Sequence, residues 1–448
     1  MRSVLFVSRL QIIQAPQRIQ IGGQQRWFCD TEGGRASTCA DLETMKNSAA
    51  EMAASLKSGQ KSSPDCATSW SPEFELLLCS ARTVPDAARI QTLTAAGIDW
   101  HAFLELAAQH RVRPLVYKAL RATCWERIPM DVQSEWEKIN RTLTIGNLYL
   151  AGELLRITAE FEAAKIPIAA MKGAVIAAMA YGDLALREYE DLDLLIDESD
   201  FSRAVELLER LEYQPFWTYD NRKIVRFLRH VGEYTLISNT RRAGIDLHWR
   251  VATKATALSP RVSDFPSGFQ PFPLAGATVL TFAPHDLPLY MAAQGGWDQW
   301  ADLRRICDVA EFLRKFPDID WEPTMRIAQR LGGLRSMLTG LSLASSLLGA
   351  EIPSSAIHRI HADKMVSRLA EESRQDLQRE SSSGEATRRY LFQLNAKQGL
   401  RGKIALAYSI LMDRTAHDGN WIMLPRPLWW LYGVLRPVRM GRKLLRRL

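Results

Sequence analysis

Asp191 and Asp193 stand two residues apart in Glu190-Asp191-Leu192-Asp193-Leu194-Leu195-Ile196. On an extended strand both carboxylates project from one face, while Leu192 and Leu194 take the other. Two neighbouring carboxylates repel each other, and the arrangement becomes favourable when both coordinate a divalent cation, a hard ion suited to oxygen ligands. Alone, an Asp-Leu-Asp pattern reads more readily as a solvated strand face. A third carboxylate changes that balance: Asp246 lies in Ile245-Asp246-Leu247-His248-Trp249, again with apolar neighbours at alternate positions, and an adjacent strand would bring it beside the pair. His248 shares its face and reads as a packing or hydrogen-bonding histidine before it reads as a ligand. Lys172-Gly173 falls where a strand turns into a helix, and offers backbone N–H groups and one cation to an anion. Arg187 either reaches the same anion or pairs with Glu188 or Glu190. Asp308, four residues after Arg304, reads as half of a surface ion pair.

These residues need elements to position them. Ile166 to Met171 is a short apolar run broken by Lys172-Gly173, Ala174 to Tyr181 is small, apolar and helix-compatible, and Gly182-Asp183 ends it. Phe201, Val205, Leu208 and Leu211 recur at helical spacing, and residues 231–238 and 245–251 read as strands joined by a turn at 239–244. Residues 166–252 are therefore an α/β unit inside a core of 165–283. The preceding stretch, 71–164, reads as all-helical. Asp99 can cap a helix carrying Trp100, Phe103, Leu104 and Ala107 that stops near Arg113-Pro114, and a second helix runs from about Asn147 to Ala164 with Leu148, Ala151, Leu155 and Phe161 on one face. Residues 284–420 return to helical spacing, clearest in Ile306, Val309, Leu313 and Phe316. Residues 1–70, rich in Gln, Ser, Gly and Thr, read as a disordered leader, with Met45 or Met52 as alternative starts. Residues 421–448 form a basic, aromatic tail.

The 448 residues carry 57 Lys+Arg against 50 Asp+Glu, a formal net charge of +7. After Asp418 there is no acid, while Arg426, Arg436, Arg439, Arg442, Lys443, Arg446 and Arg447 supply seven positive charges. The body is thus near neutral, which argues against a surface built throughout for nucleic acid. The tail, with Trp429, Trp430 and Tyr432 beside its cations, is a candidate for an anionic membrane surface. The six cysteines form no CxxC pair, so neither a zinc module nor a disulfide framework is indicated. The most apolar stretch, 166–182, is interrupted by Pro167 and Lys172 and falls short of a membrane span. A cytoplasmic protein is expected.

In order and spacing, Lys172-Gly173-Ala174, Tyr181-Gly182-Asp183, Arg187, Asp191-Leu192-Asp193-Leu194-Leu195, Leu211-Glu212-Tyr213 and Ile245-Asp246-Leu247-His248-Trp249 resemble the uncharacterised nucleotidyltransferase family of bacteria, within the DNA polymerase β-like nucleotidyltransferase superfamily. The resemblance covers roughly residues 73–440. It implies an α+β fold, a mixed sheet with helices as the polymerase β-like core, flanked by helical regions. It further implies transfer of a nucleoside monophosphate from an NTP to a hydroxyl, with two Mg²⁺ ions held by Asp191, Asp193 and Asp246, and with Lys172, Gly173 and Arg187 facing phosphate. The acceptor, whether small molecule, peptide, protein or RNA, is not indicated. Two departures from the pattern are Ala174, where the wider superfamily places a hydroxyl, and Gln294, where His is expected. The alternative is a non-catalytic adaptor that keeps the fold and binds through its flanks and tail. On like-charge repulsion alone, removing one of the acids is expected to leave the fold intact or slightly stabilised.

The leader carries too little periodic apolar surface to offset an ordering cost of roughly 1–2 kcal/mol per residue. A chain beginning near Ser71 should therefore melt at the temperature of the full chain in a calorimetric scan, and a drop of several degrees would contradict this.

Overall fold

The computed structural model describes residues 70–216, 232–379 and 385–412, three single positions near the C-terminus, and the antiparallel strands β1 (Gln17–Ile21) and β2 (Gln24–Phe28). The remainder of the leader and nearly all of the basic tail lie outside the described residues. The chain divides into two units, Met1–Ser71 with Ser381–Ser383, and Pro72–Glu380 with Gly384–Leu448.

The second unit opens with helices α1 (Pro72–Ser80), α2 (Ala87–Ala96), α3 (Trp100–Gln109), α4 (Arg113–Thr123) and the 34-residue α5 (Met130–Ala163). Asp99 does cap α3, its carboxylate accepting from the backbone N–H of His101 and Ala102. Arg113-Pro114 begins a helix as well as following one, because proline at a first turn surrenders no intrahelical hydrogen bond. Helix α5 starts well before Asn147, and the face it buries is Asn147, Leu150, Ala151, Leu154, Ile157 and Phe161. Leu148, expected on that face, is exposed.

The sheet has the order β3-β4-β7-β6-β5, with β3 (Ala169–Ala170), β4 (Asp191–Leu195), β5 (Gln214–Pro215), β6 (Glu233–Ser238) and β7 (Ala243–His248). Strands β4 and β7 run parallel, and every other neighbour is antiparallel. The mixed sheet and abundant helices make an α+β chain. Between β3 and β4 the chain forms α6 (Ala174–Ile176), which widens into a π-helical turn over Ala177–Tyr181 and closes at left-handed Gly182. Helix α7 (Phe201–Arg210) makes the crossover from β4, and its Phe201 ring meets Tyr234 at 5.3 Å and Trp249 at 5.2 Å, both edge to face. Leu192, Leu194, Ile245, Leu247, Tyr234 and Leu236 are all buried, and each such side chain stabilises the sheet by roughly 1.5–3 kcal/mol.

A hairpin of β8 (Phe269–Leu274) and β9 (Ala277–Phe282) follows, which the sequence reading missed. Pro271 and Pro273 break the strand pattern there, and a two-stranded ribbon tolerates them because one side of each strand has no partner. The Thr281 hydroxyl donates to the Ala170 carbonyl at 2.7 Å, tying the hairpin to β3. Helices α8 (Leu287–Trp297), α9 (Leu303–Lys315), α10 (Glu322–Arg330), α11 (Leu334–Leu348), α12 (Ser354–Ala362), α13 (Lys364–Leu377), α14 (Glu385–Ala396) and α15 (Leu400–Met412) complete the unit. No helix of the described residues is long and apolar enough to cross a membrane. Cys79, Cys124 and Cys307 are buried free thiols.

His110 joins the two helical regions, since its Nδ1 accepts from the backbone N–H of Leu303 at 3.4 Å while its ring packs edge-on against Phe74. Burial pushes its pKa from 6.5 down to about 4, against the opposing pull of the Asp302 charge. The unfolded chain therefore takes up a proton near pH 6.5 that the folded chain refuses. The stability present above pH 6.5 should decline as the pH falls and be lost through about pH 4. In urea titrations across that window, His110→Gln should flatten the decline relative to the parent, whatever its effect at pH 7.

Candidate active site

The register across β6, β7 and β4 builds the site. Asp193 is paired with Asp246 across the parallel β4–β7 ladder, and Asp246 is paired with Thr235 across the antiparallel β7–β6 ladder. Residues directly paired in a sheet share a face, so Thr235, Asp246 and Asp193 form one polar row. One step along, His248 sits opposite Leu195 on one side and Glu233 on the other. Asp193 and Asp246 are 6% and 4% exposed. Two carboxylates so buried demand partners.

Asp193 Oδ1 accepts from Lys172 Nζ at 2.6 Å and lies 3.0 Å from His248 Nε2. Asp246 Oδ1 accepts from the Thr235 hydroxyl at 2.7 Å, which fixes the carboxylate plane. Desolvation alone would raise the Asp193 carboxyl, but the Lys172 charge and the His248 hydrogen bond hold it well below the usual carboxylate range. Lys172 is driven the other way: burial would lower it, and Asp193 keeps its ammonium above the ordinary lysine range. His248 is raised, its burial outweighed by the hydrogen bond to Asp193 and the charge of Glu233.

Lys172 reaches Asp193 because of Gly173, whose φ of 58° and ψ of −122° suit glycine alone among the common residues. A Cβ at Gly173 would also lie 3.4 Å from the Tyr189 ring. Asp191 begins β4 opposite Gly244, two residues before Asp193 and less buried. Among the described residues, Asp193, Asp246 and His248 bring their ligand atoms within 4.8 Å of one another. Asp191 is not one of them. A cluster of two carboxylates and one imidazole offers donors that suit a divalent cation.

Arg187 does not pair with Glu188 or Glu190. Its Nε and Nη2 donate to the two oxygens of Asp308 at 2.8 and 2.9 Å, and the Tyr181 hydroxyl donates to the same carboxylate at 2.8 Å. Glu188 is taken by Arg113, through two guanidinium contacts and the backbone N–H. Asp308 is accordingly a buried hub on α9 and not a surface partner of Arg304, which engages Asp302 and the Glu188 carbonyl. The i,i+4 spacing was misleading because Arg304 and Asp308 lie on a helix buried along nearly its whole length. Gln294 donates to the Val251 carbonyl at 3.1 Å and so anchors the segment that leaves β7.

Sequence reading missed Thr235, Tyr290 and Arg305. The Tyr290 ring stacks on Phe282 at 5.2 Å, and its buried hydroxyl has no hydrogen-bond partner among the described residues. Burial raises that hydroxyl, with Lys172 and Arg305 pulling it down and Asp193 pushing it up. Arg305 pairs with Asp298 at 3.0 Å. None of the three sits in a motif, and only the strand pairing or the helix packing brings them to the acids.

The fold thus sets a buried carboxylate pair at the parallel step of its mixed sheet, with a lysine on the adjoining turn. A family described as uncharacterised nucleotidyltransferase matches residues 96–349, more than half of the chain, and the chain belongs to that family. No curated protein and no solved structure matches it.

Asp308 gathers Tyr181 and Arg187 from the turn that leads into β4. Asp308→Asn would leave the Arg187 guanidinium buried without a counter-charge, a defect worth about 3–5 kcal/mol. Urea unfolding should show a loss of that size, and a change below about 1 kcal/mol would show that the hub contributes little.

Proposed function

We propose that the chain transfers a nucleoside monophosphate from an NTP to a hydroxyl acceptor, releasing pyrophosphate, on a sheet of the polymerase β-like kind. The observation that carries this is the register match of Asp193 with Asp246, which sets two buried carboxylates side by side on a parallel ladder, in a chain of nucleotidyltransferase family. Asp193 and Asp246 would hold divalent metal, Mg²⁺ in the first instance and two ions as the family resemblance implies, with Asp191 at the open start of β4. The bound metal would neutralise the triphosphate and clamp the attacking and leaving oxygens of an in-line displacement.

The chain's own groups do the rest. Thr235 holds the Asp246 carboxylate in one orientation. Lys172 balances Asp193 and, with metal bound, would be placed to reach a phosphate oxygen beside the Gly173 backbone. Arg187, engaged by Asp308, acts from behind by fixing the 181–187 turn against α9. The acceptor could be a small molecule, peptide, protein or RNA. An adaptor that keeps the fold without chemistry would neither bind NTP with metal nor label any acceptor.

The test is incubation with each labelled NTP, Mg²⁺ and cell extract, followed by a search for label on small molecule, protein and RNA. Asp246→Asn is the first variant, since Asn can keep the Thr235 hydrogen bond while removing the charge. Its transfer should fall below about a tenth of the parent, because removing a metal ligand costs several kcal/mol of transition-state stabilisation. Asp193→Asn should lose transfer too, and it should also destabilise the fold, contrary to the expectation from repulsion alone, because Lys172 would lose the charge that balances it. Lys172→Ala should act mainly on KM. Retention of more than a tenth of transfer by Asp246→Asn would overturn the assignment.

A further inference from the structure

Two carboxylates and an imidazole do not make the same site as three carboxylates. His248 follows Asp246 by two residues on β7, so its side chain leaves the sheet on the same face. It is 7% exposed, so its ring is held away from solvent. Its Nε2 lies 3.0 Å from Asp193 Oδ1. Two ligand atoms at right angles about one cation, each about 2.1 Å from it, are separated by about 3.0 Å. The ligand atoms of Asp193, Asp246 and His248 all lie within 4.8 Å of one another. Asp191, which the family resemblance counts among the metal ligands, is not in that set.

Resting on the reading that Asp193 and Asp246 hold a divalent cation, we propose that His248 is the third protein ligand, and that its imidazole makes the site select Mn²⁺ over Mg²⁺. Mg²⁺ favours oxygen donors and keeps much of its water, whereas Mn²⁺ accepts the same carboxylates and also an imidazole nitrogen. Zn²⁺ would draw on the same nitrogen and stands above Mn²⁺ in the general affinity order, so the selection proposed is of Mn²⁺ over Mg²⁺ alone. The simpler role for His248, a hydrogen bond that positions Asp193, uses the same 3.0 Å contact and predicts no nitrogen on the metal.

The experiment uses the full chain with Mn²⁺ or Mg²⁺ alone, without nucleotide. Titration calorimetry gives the two affinities, and pulsed paramagnetic resonance of the Mn²⁺-loaded protein reads nitrogen coupled directly to the metal. The expected result is nitrogen coupling in the parent, Mn²⁺ binding weakened about tenfold or more by His248→Gln, and Mg²⁺ binding changed much less. Tight Mn²⁺ binding without nitrogen coupling would overturn the proposal while leaving the metal site standing, and loss of that binding in Asp191→Asn would then identify the oxygen ligand in its place. Binding of neither ion would sink the metal reading itself, and this proposal with it. The spectrum of the parent protein alone decides the point even if His248→Gln fails to fold.

Discussion

Burying the Asp193 carboxylate in the middle of a sheet would cost several kcal/mol if it stood alone, and much of the local architecture answers that cost. Its Oδ1 draws a lysine from the turn after β3 and a histidine from the end of β7. The lysine can arrive only if the next residue adopts a glycine conformation, and the histidine only if β7 pairs with β4 in parallel and in this register. A slip of one residue in that ladder would turn Asp246 and His248 into the apolar layer and bring Leu247 to the site. Chemistry and register are therefore one constraint, enforced from the other face by Leu192, Leu194, Ile245 and Leu247, which have nowhere else to be buried.

A second constraint links the sheet to the helices that follow. The segment between the π-helical turn and β4 has little secondary structure of its own, and Asp308 on α9 holds it through Tyr181 and Arg187. Arg304, one turn earlier on the same helix, donates to the Glu188 carbonyl, and Glu188 in turn receives Arg113 at the head of α4. Two separate helices, α4 and α9, thus converge on residues 181–190, immediately before the first acid. Buried ion pairs are weak sources of net stability but strong specifiers of a single arrangement where each charge has one partner. At 2.8–2.9 Å and bidentate, the Arg187–Asp308 pair has the geometry for that role.

The acids themselves were legible in the sequence because strand periodicity is strict: Asp-Leu-Asp and Ile-Asp-Leu-His each announce a polar face and an apolar one. Lys172-Gly173 was legible for a related reason, since glycine marks the turn and the lysine precedes it. What sequence could not supply was pairing. Thr235 lies in a run with no motif and matters only because β6 sits opposite Asp246. The Arg187–Asp308 pair is separated by 121 positions, so local spacing offered Glu188, Glu190 and Arg304 as nearer and wrong partners. Leu148 failed for a different reason: α5 is far longer than the stretch in which its period was read, and the phase of a helix face is fixed by what packs on it. The β8–β9 ribbon was hidden by the very prolines that its unpaired sides tolerate.

Charge balance explains why Lys172 stands where it does. Lys172 and His248 both converge on Asp193 Oδ1, which raises the pKa of each against the burial that would lower it. A triphosphate entering such a site would meet repulsion from the acids and attraction from a single ammonium already bound to one of them. Under the proposed function, a divalent cation on the acids would free the Lys172 ammonium from Asp193 for an anion. The lysine would then have two partners in turn, Asp193 in the metal-free sheet and a phosphate oxygen in the loaded one, and the turn at Gly173 already sets its Nζ 2.6 Å from the first.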